Sequence, residues 1–219
     1  MTKKIKVVLV DDHPLVREGL VTLIGQEADL QLCGEASTEP EALALVDSIR
    51  PEIAIVDISL ENGSGLDLIR NLRALHPEVT VLVLSMHDES LYAERALRAG
   101  ARGYIMKREA AKKVIAGIRA VHGGRLYVSD RIAARMAEKF VEGRSLAAPS
   151  PVEQLSDREL EVFELLGRGQ GTRQIAEHLH VGFKTVQAYC ARIKEKLKLA
   201  NATELLREAM RWYESRRTE

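Results

Sequence analysis

Cysteine is scarce: 219 residues contain two, Cys33 and Cys190, far apart and in no CxxC pair. That excludes a disulfide framework and the usual zinc spacings. Aromatic residues make up 4% of the chain, so its cores must be built mainly from Val, Ile, Leu and Ala. No apolar run approaches the roughly 18 residues needed to span a bilayer. The opening MTKKIKVVLVDDH reaches acid after a short apolar stretch, which does not fit a signal peptide. No GxGxxG follows the first strand candidate, so the dinucleotide-binding fingerprint is missing. The six histidines are scattered without metal-ligand spacing, which predicts surface or packing roles. Net charge is missing too, since 32 basic residues balance 32 acidic ones. Together these absences predict a chain of the reducing cytoplasm with no membrane partner.

What is present falls into two halves. The first alternates short β-branched runs with amphipathic stretches. The strand candidates are Ile5–Val10, Leu30–Ala36, Ile53–Val56, Val79–Leu84 and Gly103–Met106. Nearly continuous apolar runs of this kind suit parallel strands buried on both faces. Between them, helical patterns cover Pro14–Gly25, Pro40–Ile49, Gly65–Leu75, Ser90–Arg98 and Ala110–His122. The alternation predicts an α/β doubly wound, five-stranded parallel sheet of flavodoxin-like type over residues 1–124. Residues 125–154 read as a helix and a linker. Ser129 caps the helix, whose apolar stripe is Ile132, Ala133, Met136, Ala137 and Phe140, and Glu142–Gln154 is rich in Gly, Ala, Pro and Ser.

From Leu155 onward the pattern is helical, which predicts an all-α domain over residues 155–219. Ser156-Asp157-Arg158-Glu159 has the form of a capping box, and Asn201-Ala202-Thr203-Glu204 that of another N-terminal cap. A short helix Thr172–Leu179, a turn His180-Val181-Gly182 and a longer helix Phe183–Leu197 have the layout of a helix-turn-helix. Residues 184–198 carry Lys184, Arg192, Lys194, Lys196 and Lys198 against one acid, Glu195. A basic stripe in a neutral chain says more about a nucleic-acid partner than the isoelectric point does. Val186, Ile193 and Leu197, with Tyr189 or Cys190, fit the inner face. Lys184, Thr185, Gln187, Ala188, Ala191 and Arg192 fit the outer one. Lys and Arg neutralise phosphates, Gln reads adenine, and small apolar side chains meet a thymine methyl. Cys190 reads as a small buried residue rather than a redox sensor.

Acidic residues in the first half collect at one edge. Asp11-Asp12 follow the first strand and Asp57 the third, while Ser85 ends the fourth and Lys107 the fifth. In a doubly wound sheet, ligands bind at the C-terminal strand ends beside a topological switch point, and strand order 2-1-3-4-5 would set these residues side by side. Clustered carboxylates repel unless a cation neutralises them, and hard oxygen ligands suit Mg²⁺. An aspartate near Mg²⁺ and a lysine can act as a phosphoryl acceptor.

The segments VVLVDDHPLVREGL, IVDISLENGSGLDLI, VLVLSMHDES and GARGYIMK resemble the receiver domain of response regulators. The resemblance implies that Asp57 is phosphorylated by a sensor histidine kinase. It implies Asp12 as the direct Mg²⁺ ligand, Asp11 as the water-mediated one, and Ser59 as the donor of a backbone carbonyl. It implies Ser85 as the hydroxyl that shifts toward the phosphoryl group, Lys107 as its pairing cation and Tyr104 as an aromatic switch. Ser59 and His87 occupy the two positions that in this family govern water access to the acyl phosphate. One departure is Glu61, where the family usually has proline, so the loop loses a fixed φ and gains a negative charge.

Residues 155–206, LSDRELEVFELLGRGQGTRQIAEHLHVGFKTVQAYCARIKEKLKLANATELL, resemble the LuxR-type four-helix domain. The two resemblances together define the NarL/FixJ group of response regulators. Here Gly171 and Gly182 stand where that group favours Ser at helix starts, and glycine is a tolerable N-cap. The implied protein is a regulator rather than an enzyme. It would bind double-stranded DNA, form a homodimer when active, and have RNA polymerase as a further partner. The rival of another class is a phosphatase with an aspartyl nucleophile. It needs a DxD motif after the first strand, and this chain has adjacent aspartates.

Overall fold

The computed structural model describes residues 4–60, 63–141 and 151–217. Glu61 and most of the expected linker, 142–150, lie outside the described residues, as does the side chain of Phe140. The chain divides into two compact units, Met1–Ser145 and Leu146–Glu219.

In the first unit, five parallel strands form one sheet. They are β1 (Ile5–Val10), β2 (Leu30–Ala36), β3 (Ile53–Val56), β4 (Thr80–Ser85) and β5 (Gly103–Met106), in the order β2-β1-β3-β4-β5. Helices α1 (Pro14–Gly25), α2 (Glu39–Ile49), α3 (Gly65–Leu75), α4 (Glu89–Ala99) and α5 (Ala110–His122) connect them. All four residues of β3 and of β5 are buried, as continuous apolar strands covered on both faces require. Alternation still sorts the two faces: Val7 and Leu9 of β1 pack with Leu20 and Ile24 of α1 and with Val114 and Ile118 of α5. Local chemistry starts the helices. Pro14 opens α1, the Thr38 hydroxyl accepts from Glu41 N at the start of α2, and the Asp88 carboxylate accepts from Ser90 N at the start of α4.

The fourth strand is displaced by one residue from the expected Val79–Leu84. Val79 is buried, but its N–H closes the turn after α3 by donating to His76 O, so pairing begins at Thr80 and ends with Ser85 opposite Met106. A helix follows the sheet domain as expected, α6 (Asp130–Val141), with Ser129 Oγ accepting from Ile132 N at 3.3 Å. Of the expected linker, Pro151–Gln154 forms a 3-10 turn.

The second unit holds α7 (Asp157–Gly167), α8 (Thr172–His178), α9 (Phe183–Leu197) and α10 (Ala202–Arg217). The capping box of α7 is complete: Ser156 Oγ accepts from Glu159 N, and Glu159 Oε2 accepts from Ser156 N at 2.7 Å. α10 packs on α7 and α9. Leu160, Phe163, Ile175, Val186, Ile193, Leu205 and Ala209 are buried there. The Phe163 and Trp212 rings meet at 5.3 Å, and α10 runs well past Trp212. In the α8–α9 turn the left-handed residue is His180, at φ 51°, while Gly182 is an extended N-cap at φ −65°. The glycine thus serves as a cap rather than as the source of the turn's positive φ.

Candidate functional site

The C-terminal ends of β1, β3 and β5 deliver the carboxylate site. Asp11 N donates to Ala36 O, and Asp57 N donates to Val10 O at 2.8 Å, so the backbone ladder runs out just where the acids begin. Asp11 and Asp57 are 1% and 2% exposed, and the Lys107 side chain is 4% exposed. Lys107 Nζ lies 2.6 Å from Asp57 Oδ2 and 2.8 Å from Asp11 Oδ2. Asp57 Oδ1 is buried and has no hydrogen-bond partner among the described residues.

One ammonium therefore faces two buried carboxylates, with Asp12 beside them, and the pocket carries an excess of negative charge. Burial, reinforced by Asp11 and opposed by Lys107, pushes the Asp57 carboxyl up to about 6. Burial would lower the Lys107 ammonium, but Asp57 and Asp11 outweigh it and raise that group above its ordinary value. Burial disfavours the charged carboxylate, while the two carboxylates favour the charged ammonium. One ligand atom from each of Asp11, Asp12, His13 and Asp57 lies within 4.8 Å of the others, a spacing that fits a single cation.

His13, whose side chain is 56% exposed, lies on the surface as the scattered histidines were expected to, but against the carboxylates. Its N–H donates to Asp11 Oδ1 at 2.8 Å, and its ring Nδ1 is 2.5 Å from Asp12 Oδ1 and 3.9 Å from Asp57 Oδ2. Its place next to Asp11-Asp12 was the available signal.

The second set of residues gathers on the β4–α4 loop. Ser85 is fully buried, and its Oγ accepts from His87 N at 3.2 Å. His87 O accepts from Tyr104 OH at 2.9 Å, and His87 Nε2 lies 2.8 Å from Ser59 Oγ. The His87 ring also lies on Tyr92, with centroids 4.3 Å apart. His87 thus ties together the loops after β3 and β4 and the side chain of β5. Tyr104 is buried, and burial raises its phenol, so the group stays neutral. The loop after β3 turns back through a two-residue pairing of Ser59–Leu60 with Gly63–Ser64, and Gly65 starts α3 in tight contact with β3. A Cβ at Gly65 would stand 1.9 Å from Asp57 O, so only glycine fits beneath the acid.

On α9, Lys184, Thr185, Gln187, Ala188, Ala191 and Arg192 are all exposed. Val186 and Ile193 are buried, while Tyr189, Cys190 and Leu197 are half-buried. Cys190 is less enclosed than its expected core role, and burial raises its thiol above the ordinary value. Lys196 is drawn off the free basic stripe by an ion pair with Glu159 at 2.6 Å. Among the described residues no helix is long and apolar enough to cross a membrane.

Residues 7–119 match the family described as response regulator receiver domain, and residues 153–209 match bacterial regulatory proteins of the luxR family. The oxygen regulatory protein NreC of Staphylococcus haemolyticus is 33% identical over 210 residues, covering 94% of this chain and 97% of the relative. NreC of Staphylococcus aureus is equally similar. A two-component response regulator of the LuxR family from Aurantimonas sp. SI85-9A1 is 33% identical with a TM-score of 0.59, over 64% of this chain and 99% of that one. The RcsB response regulator of Salmonella typhimurium, 22% identical over 95% of this chain and 98% of that one, shares the fold with a TM-score of 0.65. With both halves matched in order, the chain belongs to the NarL/FixJ-type response regulators, and it is a phosphorylation-dependent transcriptional regulator of a two-component system.

Proposed function

We propose that Asp57 accepts a phosphoryl group from the phosphohistidine of a sensor kinase. The observation that carries this reading is the split environment of its carboxylate. Oδ2 is held by Lys107, while Oδ1 is buried without a partner and free to attack phosphorus. The Oδ1–P bond forms, the N–P bond of the donor breaks, and the electron pair leaves with the imidazole. Asp57 must be ionised to attack, and a carboxyl pushed up to about 6 is ionised at neutral pH. Lys107 stays charged and balances the phosphoryl oxygens.

The excess negative charge and the spacing of the clustered carboxylates fit a divalent cation. Asp12, Asp57 and the Ser59 carbonyl would hold Mg²⁺ directly and Asp11 through water, and the ion would supply neutralising charge at the phosphoryl group. Ser85 and Tyr104 would then report the modification by moving.

The phosphorylated chain binds double-stranded DNA as a homodimer in the cytoplasm. Lys184 and Arg192 contact phosphates, and Thr185, Gln187 and Ala188 lie nearest the bases; their shared exposed face on α9 supports this. RNA polymerase is the partner through which the bound dimer alters transcription. The test is incubation with acetyl phosphate and Mg²⁺, read by intact mass. One phosphoryl group is expected, and equal labelling of Asp57→Ala would overturn the assignment.

A further inference from the structure

The segment that follows the receiver fold is fastened to it at two places. At the first, Tyr127 extends the sheet edge. Tyr104 N donates to Tyr127 O at 2.8 Å, and Tyr127 N donates to Arg102 O at 3.0 Å, forming a bridge opposite Gly103. A Cβ at Gly103 would stand 2.9 Å from Tyr127 O, so the glycine permits this close approach. The peptide of Tyr104, whose hydroxyl is held by His87, therefore also anchors the outgoing chain.

At the second place, α6 lies on α4 through opposite charges. Arg131, Arg135 and Lys139 are spaced four residues apart and so share one helix face. Arg131 pairs with Glu89 at 3.2 Å and with Asp88 at 3.6 Å. Arg135 donates to Ser90 O at 3.1 Å, and Lys139 pairs with Glu94. Ser129 Oγ donates to Glu89 Oε1 at 2.8 Å, and Ile132 on α6 is buried, 4% exposed. The acids of α4 are half-buried beneath this helix: Glu89 is 13% exposed and Glu94 30%.

The two fastenings meet the phosphorylation site through one short stretch of chain. Ser85, Met86, His87, Asp88 and Glu89 are consecutive. The first carries the buried hydroxyl that holds His87 N–H, the third holds Tyr104, and the last two hold Arg131 and Ser129. We infer that residues 127–141 are a built-in clamp, which holds the β4–α4 loop and Tyr104 in the resting arrangement and is released when Asp57 is phosphorylated. The inference rests on the reading of Asp57 given above. Drawing Ser85 toward a phosphoryl group removes the acceptor of His87 N–H and carries Asp88 and Glu89 with the loop. Hydrogen bonds weaken steeply with distance and misalignment, so a helix shift of about 1–2 Å suffices to break those within these contacts. Because α6 leads into the DNA-binding half, its release changes the tether of that half directly.

The test is amide hydrogen exchange on the full chain, with phosphorylation by acetyl phosphate and Mg²⁺ verified by intact mass. Phosphorylation should speed exchange in 130–141 and at Tyr104 by about fivefold to tenfold, while β1 and β3 stay protected. Arg131→Glu with Lys139→Glu should produce a similar rise in α6 without phosphate. Adding Glu94→Lys to Lys139→Glu should restore protection by reversing the pair. A mass showing no phosphoryl group on Asp57 would overturn the underlying reading. Full phosphorylation with unchanged protection of α6 would overturn the clamp alone, as would unchanged exchange in Arg131→Glu with Lys139→Glu.

Discussion

Replacing Asp57 by asparagine should stabilise the metal-free protein while destroying its capacity for phosphorylation. The carboxyl is 2% exposed and is raised by burial and by Asp11, against the pull of Lys107, from an ordinary 3.8 to about 6. At about 1.36 kcal/mol per unit, ionising this group costs the folded state ~3 kcal/mol at neutral pH. Asparagine has nearly the same shape, leaves an oxygen for Lys107 and removes the charge. Lys107 is not orphaned, since Asp11 remains 2.8 Å away. The folded-state value is raised, so the folded state holds the proton that the unfolded chain has lost between roughly pH 4 and 6. Over that window the parent loses stability as pH rises, and above it the full penalty persists. The advantage of Asp57→Asn should be near zero at pH 4 and complete above about pH 7, where it corresponds to a rise in melting temperature of about 6–12 °C. Calorimetric melting in chelator across this range is the assay. Added Mg²⁺ should narrow the gap by stabilising the parent more, because a ligand stabilises the state that binds it. Equal melting temperatures in chelator at pH 7.5, or a difference that does not change with pH, would refute the claim that burial penalises the ionised carboxyl of Asp57.

Gly65→Ala should cost at least about 2 kcal/mol and slow phosphorylation, because its Cβ must displace the Asp57 backbone; denaturant unfolding and labelling kinetics read both effects. Ser156→Ala should lower the stability of the DNA-binding half by about 1 kcal/mol through loss of the α7 cap, seen as a lower melting temperature of that unit. Lys184→Ala should weaken binding to all duplexes about equally and reduce the slope of log affinity against log salt by about one unit in fluorescence titrations. Gln187→Ala should instead change which site is selected from a random duplex pool, and an unchanged preference would move base recognition elsewhere.

Local pattern is enough to specify the elements. Runs such as IKVVLV and IAIV have too few polar positions for a half-exposed strand, so they specify buried parallel strands. Ser156 and Glu159 mark the start of α7, and the apolar spacing of Phe183–Leu197 marks its inner face, because caps and periodicity are local properties. The sequence also placed Asp11, Asp57, Ser85 and Lys107 at strand ends, where a doubly wound sheet brings such residues to one edge. How they are partnered emerges only in the folded molecule. That Asp57 has one bound and one free oxygen, that His13 turns onto the carboxylates, and that His87 joins Ser59, Ser85 and Tyr104 depends on rotamers and on contacts across distant segments. The same holds for Tyr127 on the edge of β5 and for α6 on α4: the basic stripe of α6 is legible at its spacing, but its partner is not. Periodicity records which face of an element is apolar, whereas the identity of what covers that face is settled only when the whole chain competes for the same surface.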